Sequence, residues 1–192
     1  MGIVKKIEEN NCKIAIWDLQ ESLIELSNLY NKSKLPIFTN EKRKKEFLTT
    51  RILLQEINPN QSISYNEYGA PELGNNQYIS ISHSHNLVAL IVSEKKVGLD
   101  IEKISSKALS LSSKFISDIT YDISKEKATL IWCAKEAIYK WYQKKNINFK
   151  NDIKIYPFGL KDKGTVIAKF KNQKHTLYYN KIDTHFLVYV CK

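Results

Sequence analysis

Apolar and polar positions alternate with a period of two along several short runs of the chain and with the helical period along a few longer ones. Ile3 to Ile7 and Lys13 to Trp17 read as short strands joined through the polar Glu8-Glu9-Asn10-Asn11, a hairpin. Gln20 to Tyr30 has the spacing of an amphipathic helix. Leu35-Pro36-Ile37-Phe38 breaks that pattern, and Thr39 or Asn40 can cap a second helix running to about Ile57. On it Phe47, Leu48, Ile52 and Leu54 face a core, while Lys44 and Arg51 return to nearly one side. Ser62 to Tyr65 reads as a strand and Gly69-Ala70-Pro71 as a turn. Tyr78 to Ser82 and Leu87 to Ser93 are strands bracketing Ser82-His83-Ser84-His85-Asn86, and Val97 to Glu102 is the strand that follows.

Beyond Lys103 the pattern turns helical, over Ser105 to Ile116 and then over Ser124 to Lys145, where Ser124 is the cap and Lys127 at the third position leaves no capping box. Four strand-like runs follow: Ile153 to Tyr156, Thr165 to Phe170, His175 to Tyr179 and His185 to Val190. Each half thus offers helices and an antiparallel set of strands. The expected class is α+β, with an N-terminal half over 1–103 and a C-terminal half over 104–192.

Composition narrows the setting. With 192 residues and 43% hydrophobic content the chain can bury a core without staples. Cys12, Cys133 and Cys191 are odd in number and lack C-x-x-C spacing, which argues against a disulfide framework or a zinc site and for a reducing, cytoplasmic home. No run reaches the length of a secretory signal or of a membrane span, so no membrane partner is expected. Thirty Lys plus Arg against twenty Asp plus Glu give a formal charge of +10, which attracts nucleic acid, phosphorylated small molecules or an acidic protein. The densest run is Lys42-Arg43-Lys44-Lys45, on the second helix with Arg51.

Two segments carry candidate chemistry. In the Val97 to Glu102 strand, Val97, Leu99 and Ile101 take one face and Gly98, Asp100 and Glu102 the other. Neighbouring carboxylates raise each other's proton affinity and call for a cation or solvent, a hard divalent metal being the obvious cation, and Gly98 leaves room for a ligand. A solvated edge strand shows the same pattern. On the long helix Leu130, Ala134, Ala137, Ile138 and Trp141 form an apolar arc, with Trp132, Glu136 and Lys140 outside it. Glu136 and Lys140 are i,i+4 neighbours, and Trp132 lies on their side one turn earlier.

Taken in order, Tyr78-Ile79-Ser80-Ile81-Ser82-His83-Ser84, Val97-Gly98-Leu99-Asp100-Ile101-Glu102 and Trp132-Cys133-Ala134-Lys135-Glu136-Ala137-Ile138-Tyr139-Lys140 resemble the 4'-phosphopantetheinyl transferases, the larger surfactin-synthetase-activating type in particular. An upstream basic helix ending in Arg51-Ile52-Leu53-Leu54 extends the likeness, which covers roughly residues 39 to 158. The resemblance implies two similar halves related by a pseudo-twofold axis, each an antiparallel sheet packed with helices. It implies transfer of the 4'-phosphopantetheine arm of coenzyme A to a serine of an acyl or peptidyl carrier protein, releasing adenosine 3',5'-bisphosphate. By motif position, Asp100, Glu102 and Glu136 hold Mg²⁺. Glu136 takes the serine proton, Lys140 binds the phosphates, Ser82 and His83 meet the nucleotide end, and Lys42, Lys45 and Arg51 receive the 3'-phosphate. The partners implied are coenzyme A and an acidic carrier protein, with no nucleic acid, and the chain is expected to be a monomer. Gly69-Ala70-Pro71 departs from the Gly-Lys-Pro of relatives and lacks its lysine.

A competing reading is a non-catalytic basic nucleic-acid-binding module, drawn from the +10 charge and eleven tyrosines. It explains the basic run and leaves Asp100, Glu102 and Glu136 without a role.

Overall fold

The structure, a computed structural model, describes residues 2–30, 36–117 and 123–192. The chain opens with the expected hairpin, β1 (Gly2–Glu9) and β2 (Cys12–Asp18), turned by Asn10 and Asn11 at φ 56° and 60°. Positive φ at both central residues is the two-residue turn whose twist matches the flanking strands, and Asn tolerates it. α1 (Leu23–Leu29) starts at a capping box in which Ser22 and Glu25 satisfy each other's backbone N–H, a local signal the hydrophobic pattern passes over. The Leu35 end of the expected break lies outside the described residues. α2 (Glu41–Ile57) is capped by Asn40, as expected, and β3 (Ser64–Tyr65) and β4 (Pro71–Glu72) form a small ribbon.

β5 (Tyr78–Ser84), β6 (Leu87–Ser93) and β7 (Val97–Lys103) follow. The helical stretch expected from Ser105 is shorter and broken, an α3 (Ser106–Ser110) and a single 3₁₀ turn over Ser112–Lys114. α4 (Lys125–Tyr142) is capped by Ser124, and β8 (Ile153–Ile155), β9 (Lys163–Phe170), β10 (Gln173–Ile182) and β11 (His185–Cys191) close the chain.

Apart from the β3–β4 ribbon, the strands form two antiparallel sheets in the orders β1-β2-β6-β5 and β7-β11-β10-β9-β8. Three apolar clusters stack the molecule into layers. α1 and α2 cover the outer face of the first sheet through Leu26, Leu48, Leu53, Leu54, Val88 and Leu90. The two sheets meet through Ile14, Ile16, Ile91, Val97, Leu99 and Leu187. α4 covers the outer face of the second sheet through Leu130, Ala134, Ala137, Ile138, Val188 and Val190, its predicted apolar arc. The class is α+β, a sheet with its helices in each half. Among the described residues no helix is long and apolar enough to cross a membrane.

Two features differ from the reading of the sequence. β7 pairs with β11, Asp100 opposite Val188, so the D-x-E strand belongs to the sheet of the later half although it precedes residue 103. Sequence order places it among the early strands; pairing depends on which edge is open, and β11 offers one. Gly98 makes room for α4 instead of a ligand. A Cβ there would strike the Ala137 carbonyl and lie 2.5 Å from the Trp141 nitrogen. Only hydrogen at that position lets helix backbone rest on strand backbone.

Gly98→Ala is therefore expected to destabilise the chain by about 3 kcal/mol or more, since the obstructing atoms are backbone and have no rotamer to yield. A urea midpoint unchanged from the parent would show that α4 can slide, and would remove this contact as a determinant of its height above β7.

Candidate active site

β7 is an edge strand, and the N–H groups along its open side need acceptors. β5 supplies them from side chains. The hydroxyls of Ser80, Ser82 and Ser84 accept from the backbone N–H of Leu99, Ile101 and Lys103 at 3.0, 3.3 and 3.0 Å. The period of two sets this ladder, because it turns all three serines to one face while Ile79 joins the α2 side. The alternating serines were a visible signal of this seam that motif reading passed over.

The same hydroxyls orient the two carboxylates. Ser82 donates to Asp100 Oδ1 at 2.7 Å and Ser84 to Glu102 Oε2 at 3.2 Å. Lys140 of α4 donates to Asp100 Oδ1 at 2.7 Å and to the Ser82 oxygen at 2.8 Å. Ser82 thus spends its one proton and both lone pairs inside the network. Trp132, one helical turn before Glu136, donates its indole N–H to Glu102 Oε1 at 3.1 Å. Its ring stacks on Phe149 at 5.4 Å and meets Phe115 edge-on at 5.2 Å, which holds it in place.

Glu136 completes the group from the helix side. Burial, and then the charge of Asp100, push its carboxyl up to about 7, with Lys140 opposing. Burial followed by Asp100 also raises Glu102, against the hydrogen bonds from Trp132 and Ser84. Three acidic groups and one ammonium therefore share a site that water screens poorly. Asp100 Oδ2 is buried with no hydrogen-bond partner. That orphaned oxygen and an all-carboxylate donor set fit a hard divalent cation. Among the described residues no three acidic, histidine or cysteine side chains already stand together as a metal-ligand set, and Lys140 holds the place beside Asp100.

The expected phosphate-binding residues are spread more widely. His83 points from the opposite face of β5 toward α2, where Arg43 donates to its Nε2 at 2.8 Å and to Glu46 at 3.0 Å. An arginine donates only, so that His83 nitrogen is an acceptor and the ring is neutral, in line with burial lowering its proton affinity. Arg43 and the buried Glu46 are thus the partners of His83 on α2, a contact that spacing alone does not single out. Lys45 pairs with Glu41 at 3.6 Å, and Lys42 is exposed on the same helix. The Arg51 guanidinium lies over the Phe47 ring at 3.3 Å and reaches the Tyr65 hydroxyl at 3.4 Å, about 12 Å along α2 from Arg43.

Lys135, inside the helix motif, faces away from the carboxylates. It is buried and donates to the carbonyls of Phe149, at 2.6 Å, and Ile153. It thereby ties down the loop that carries Phe149 under Trp132. Its ammonium, desolvated, is pulled down to about 8.

Two hollows flank the site. One, of about 250 Å³, is bordered by Gly69, Ala70, Pro71, Lys140, Lys144 and Lys145. The other, of about 540 Å³, opens beside Glu102, with Leu111, Phe115, Trp132 and Phe149 as its floor and Lys103 and Lys107 on its rim.

No protein-family model matches the chain. It is similar to the protein named 4'-phosphopantetheinyl transferase gsp of Aneurinibacillus migulanus, 32% identical over 106 residues that take in 50% of this chain and 45% of the relative. The match thus spans less than half of that curated relative's length.

The raised proton affinity of Glu136 makes a stability prediction for the metal-free protein. A carboxyl that moves from 4.5 to about 7 on folding favours the folded state below pH 4.5, and that contribution is lost as pH rises through 7. At 1.36 kcal/mol per unit the full swing is about 3 kcal/mol. Glu136→Gln should match the parent near pH 4 and exceed it by about 2–3 kcal/mol at pH 8 in chelator. Parallel urea stability curves across that range would show that Glu136 is not buried against Asp100.

Proposed function

We propose that the chain is a 4'-phosphopantetheinyl transferase of the surfactin-synthetase-activating type, moving the phosphopantetheine arm of coenzyme A onto a serine of an acyl or peptidyl carrier protein. The observation that carries this reading is the convergence of Glu102, Glu136 and Lys140, each half-buried, on the buried Asp100, built from the three sequence segments that resemble the family. The similarity to the Aneurinibacillus migulanus transferase supports it over half the chain.

Phosphoryl transfer is served by positioning and charge neutralisation more than by covalent help from the protein. In this reading Asp100, Glu102 and Glu136 would hold Mg²⁺, with Asp100 Oδ2 as the oxygen lacking a partner. When bound, the cation supplies charge neutralisation at the pyrophosphate of coenzyme A. Lys140, on a flexible stem and paired with Asp100 in the resting site, is placed to turn its ammonium to a phosphate oxygen. Glu136, poised near neutrality, accepts the proton of the carrier serine. Arg43 and Arg51, with Lys42 and Lys45, give α2 a phosphate-binding face, Arg51 and its fork being the part assigned to the 3'-phosphate. Ser82 and His83 act behind this surface, Ser82 by orienting Asp100 and Lys140, His83 by orienting Arg43.

The groove beside Glu102, with its apolar floor and lysine rim, supports approach by an acidic carrier. A nucleic-acid-binding module would use the +10 charge but has no use for a buried aspartate and two half-buried glutamates around one lysine. Action as a monomer in the cytoplasm belongs to the same reading.

The deciding experiment is mass spectrometry of candidate carrier proteins incubated with the chain, coenzyme A and Mg²⁺. The expected result is addition of the phosphopantetheine arm to one serine, lost in chelator. Asp100→Asn should cut the rate at least about 100-fold, because it removes a ligand charge from the set that would hold Mg²⁺ and the anion that positions Lys140. No arm on any carrier, or near-parental turnover by Asp100→Asn, would overturn the reading.

Arg51 gives a second check. Arg51→Ala should weaken binding of coenzyme A about tenfold more than binding of the analogue lacking the 3'-phosphate, since a guanidinium fork contributes most where phosphate oxygens meet it. Equal losses for both ligands, measured by calorimetry, would take Arg51 out of the 3'-phosphate site.

A further inference from the structure

Two of the three cysteines lie together at a place the proposed chemistry does not use. Cys12 begins β2 in the first sheet and Cys191 ends β11 in the second. Both thiols donate to one carbonyl, that of Asn10, at 3.6 and 3.5 Å, which gathers the two sulfurs around a single acceptor. The Asn10 carbonyl is presented by the tight turn of the β1–β2 hairpin, which aims it into the gap between the sheets. Ser93, opposite Cys12 on β6, places its hydroxyl 3.4 Å from Cys191 Sγ. Cys133, in contrast, is enclosed between α4 and the second sheet.

We propose that Cys12 and Cys191 are a redox-modification site, two thiols that close into a reversible intramolecular disulfide clamping the two sheets together. Their exposures assign the order of events. Cys12 is 2% exposed, while Cys191 is partly open to solvent. The neighbouring Cys12 thiol, with Ser93 and the charge of Lys95, lowers the proton affinity of Cys191, and Cys191 is the sulfur that solvent reaches, so it is the attacking sulfur. The same partner holds the Cys12 proton on, well above the usual thiol range. That restraint ends once Cys191 is no longer an anion.

The oxidant is a low-molecular-weight disulfide, RSSR. The Cys191 thiolate bonds to one of its sulfurs, and the other leaves as RS⁻ and takes up a proton. Cys12 then loses its proton to solvent and attacks the Cys191 sulfur of the mixed disulfide, expelling a second RS⁻ that is protonated in turn. Two protein thiols are oxidised and one RSSR is reduced to two RSH. The bond closes a loop of nearly the whole chain and restricts the unfolded state accordingly. It lies at the start of the strand that carries Asp100, since Cys191 pairs with Val97. In a reducing compartment the resting form is the dithiol.

The test uses oxidised glutathione on the folded chain, then alkylation in denaturant and peptide mass mapping. The expected product loses alkylation at Cys12 and Cys191, keeps it at Cys133, contains a Cys12–Cys191 linked peptide and reverts with dithiothreitol. Its thermal midpoint should exceed that of the reduced chain by about 5 °C or more. Cys12→Ser should stop at a stable glutathione adduct on Cys191, and Cys191→Ser should leave Cys12 unmodified while folded. Full alkylation of Cys12 and Cys191 after equilibration, a lasting adduct on Cys191 with Cys12 present, or a link through Cys133 would each overturn the proposal.

Discussion

The serine seam between β5 and β7 is the constraint from which the rest of the site follows. Two sheets packed only face to face could slide, and β7 would show water a row of unpaired N–H groups. Three hydroxyls at alternate positions end both problems at once, each bond contributing roughly 1 kcal/mol net while fixing register to one residue. A hydroxyl that accepts from the strand still has a proton to give. Ser82 and Ser84 give theirs to Asp100 and Glu102, so the carboxylates are oriented by the bonds that join the sheets.

That arrangement concentrates like charge where solvent is scarce. Burial and the charge of Asp100 raise the proton affinity of Glu102 and Glu136, and Lys140 offsets only part of it. A largely desolvated acidic cluster with one counter-ion lowers stability, and its presence in a well-packed molecule is more consistent with a site that binds something than with a structural device. The contacts behind the carboxylates point the same way. Trp132 is fixed by Phe115 and Phe149, and Phe149 is fixed by Lys135, so a side chain that never meets the carboxylates governs where Glu102 points.

What could be read beforehand follows from range. α2 and α4 were legible to within a few residues because their apolar stripes and the caps Asn40 and Ser124 are local signals. The exposed-looking trio Trp132, Glu136 and Lys140 was legible as one helix face by the same periodicity. The parts that escaped are contacts between segments far apart in sequence: Arg43 with His83, Lys135 with the loop after its helix, and the pairing of β7 with β11. Gly98 shows the limit well. In sequence its missing side chain signals space for a ligand, whereas packing gives that space to the backbone of α4.

β7 is where these contacts join. Its Val97, Leu99 and Ile101 fill the layer between the sheets, its other face receives α4, one edge pairs with β11 and the other is held by β5. A division near residue 103 cuts the chain at a convenient place in sequence but through the middle of one structural element's attachments. Asp100 meets Ser82 from the early strands and Lys140 from the late helix on the same oxygen. The carboxylate geometry is therefore a property of the closed molecule, and a fragment holding only one sheet would keep the D-x-E residues while losing the groups that orient them.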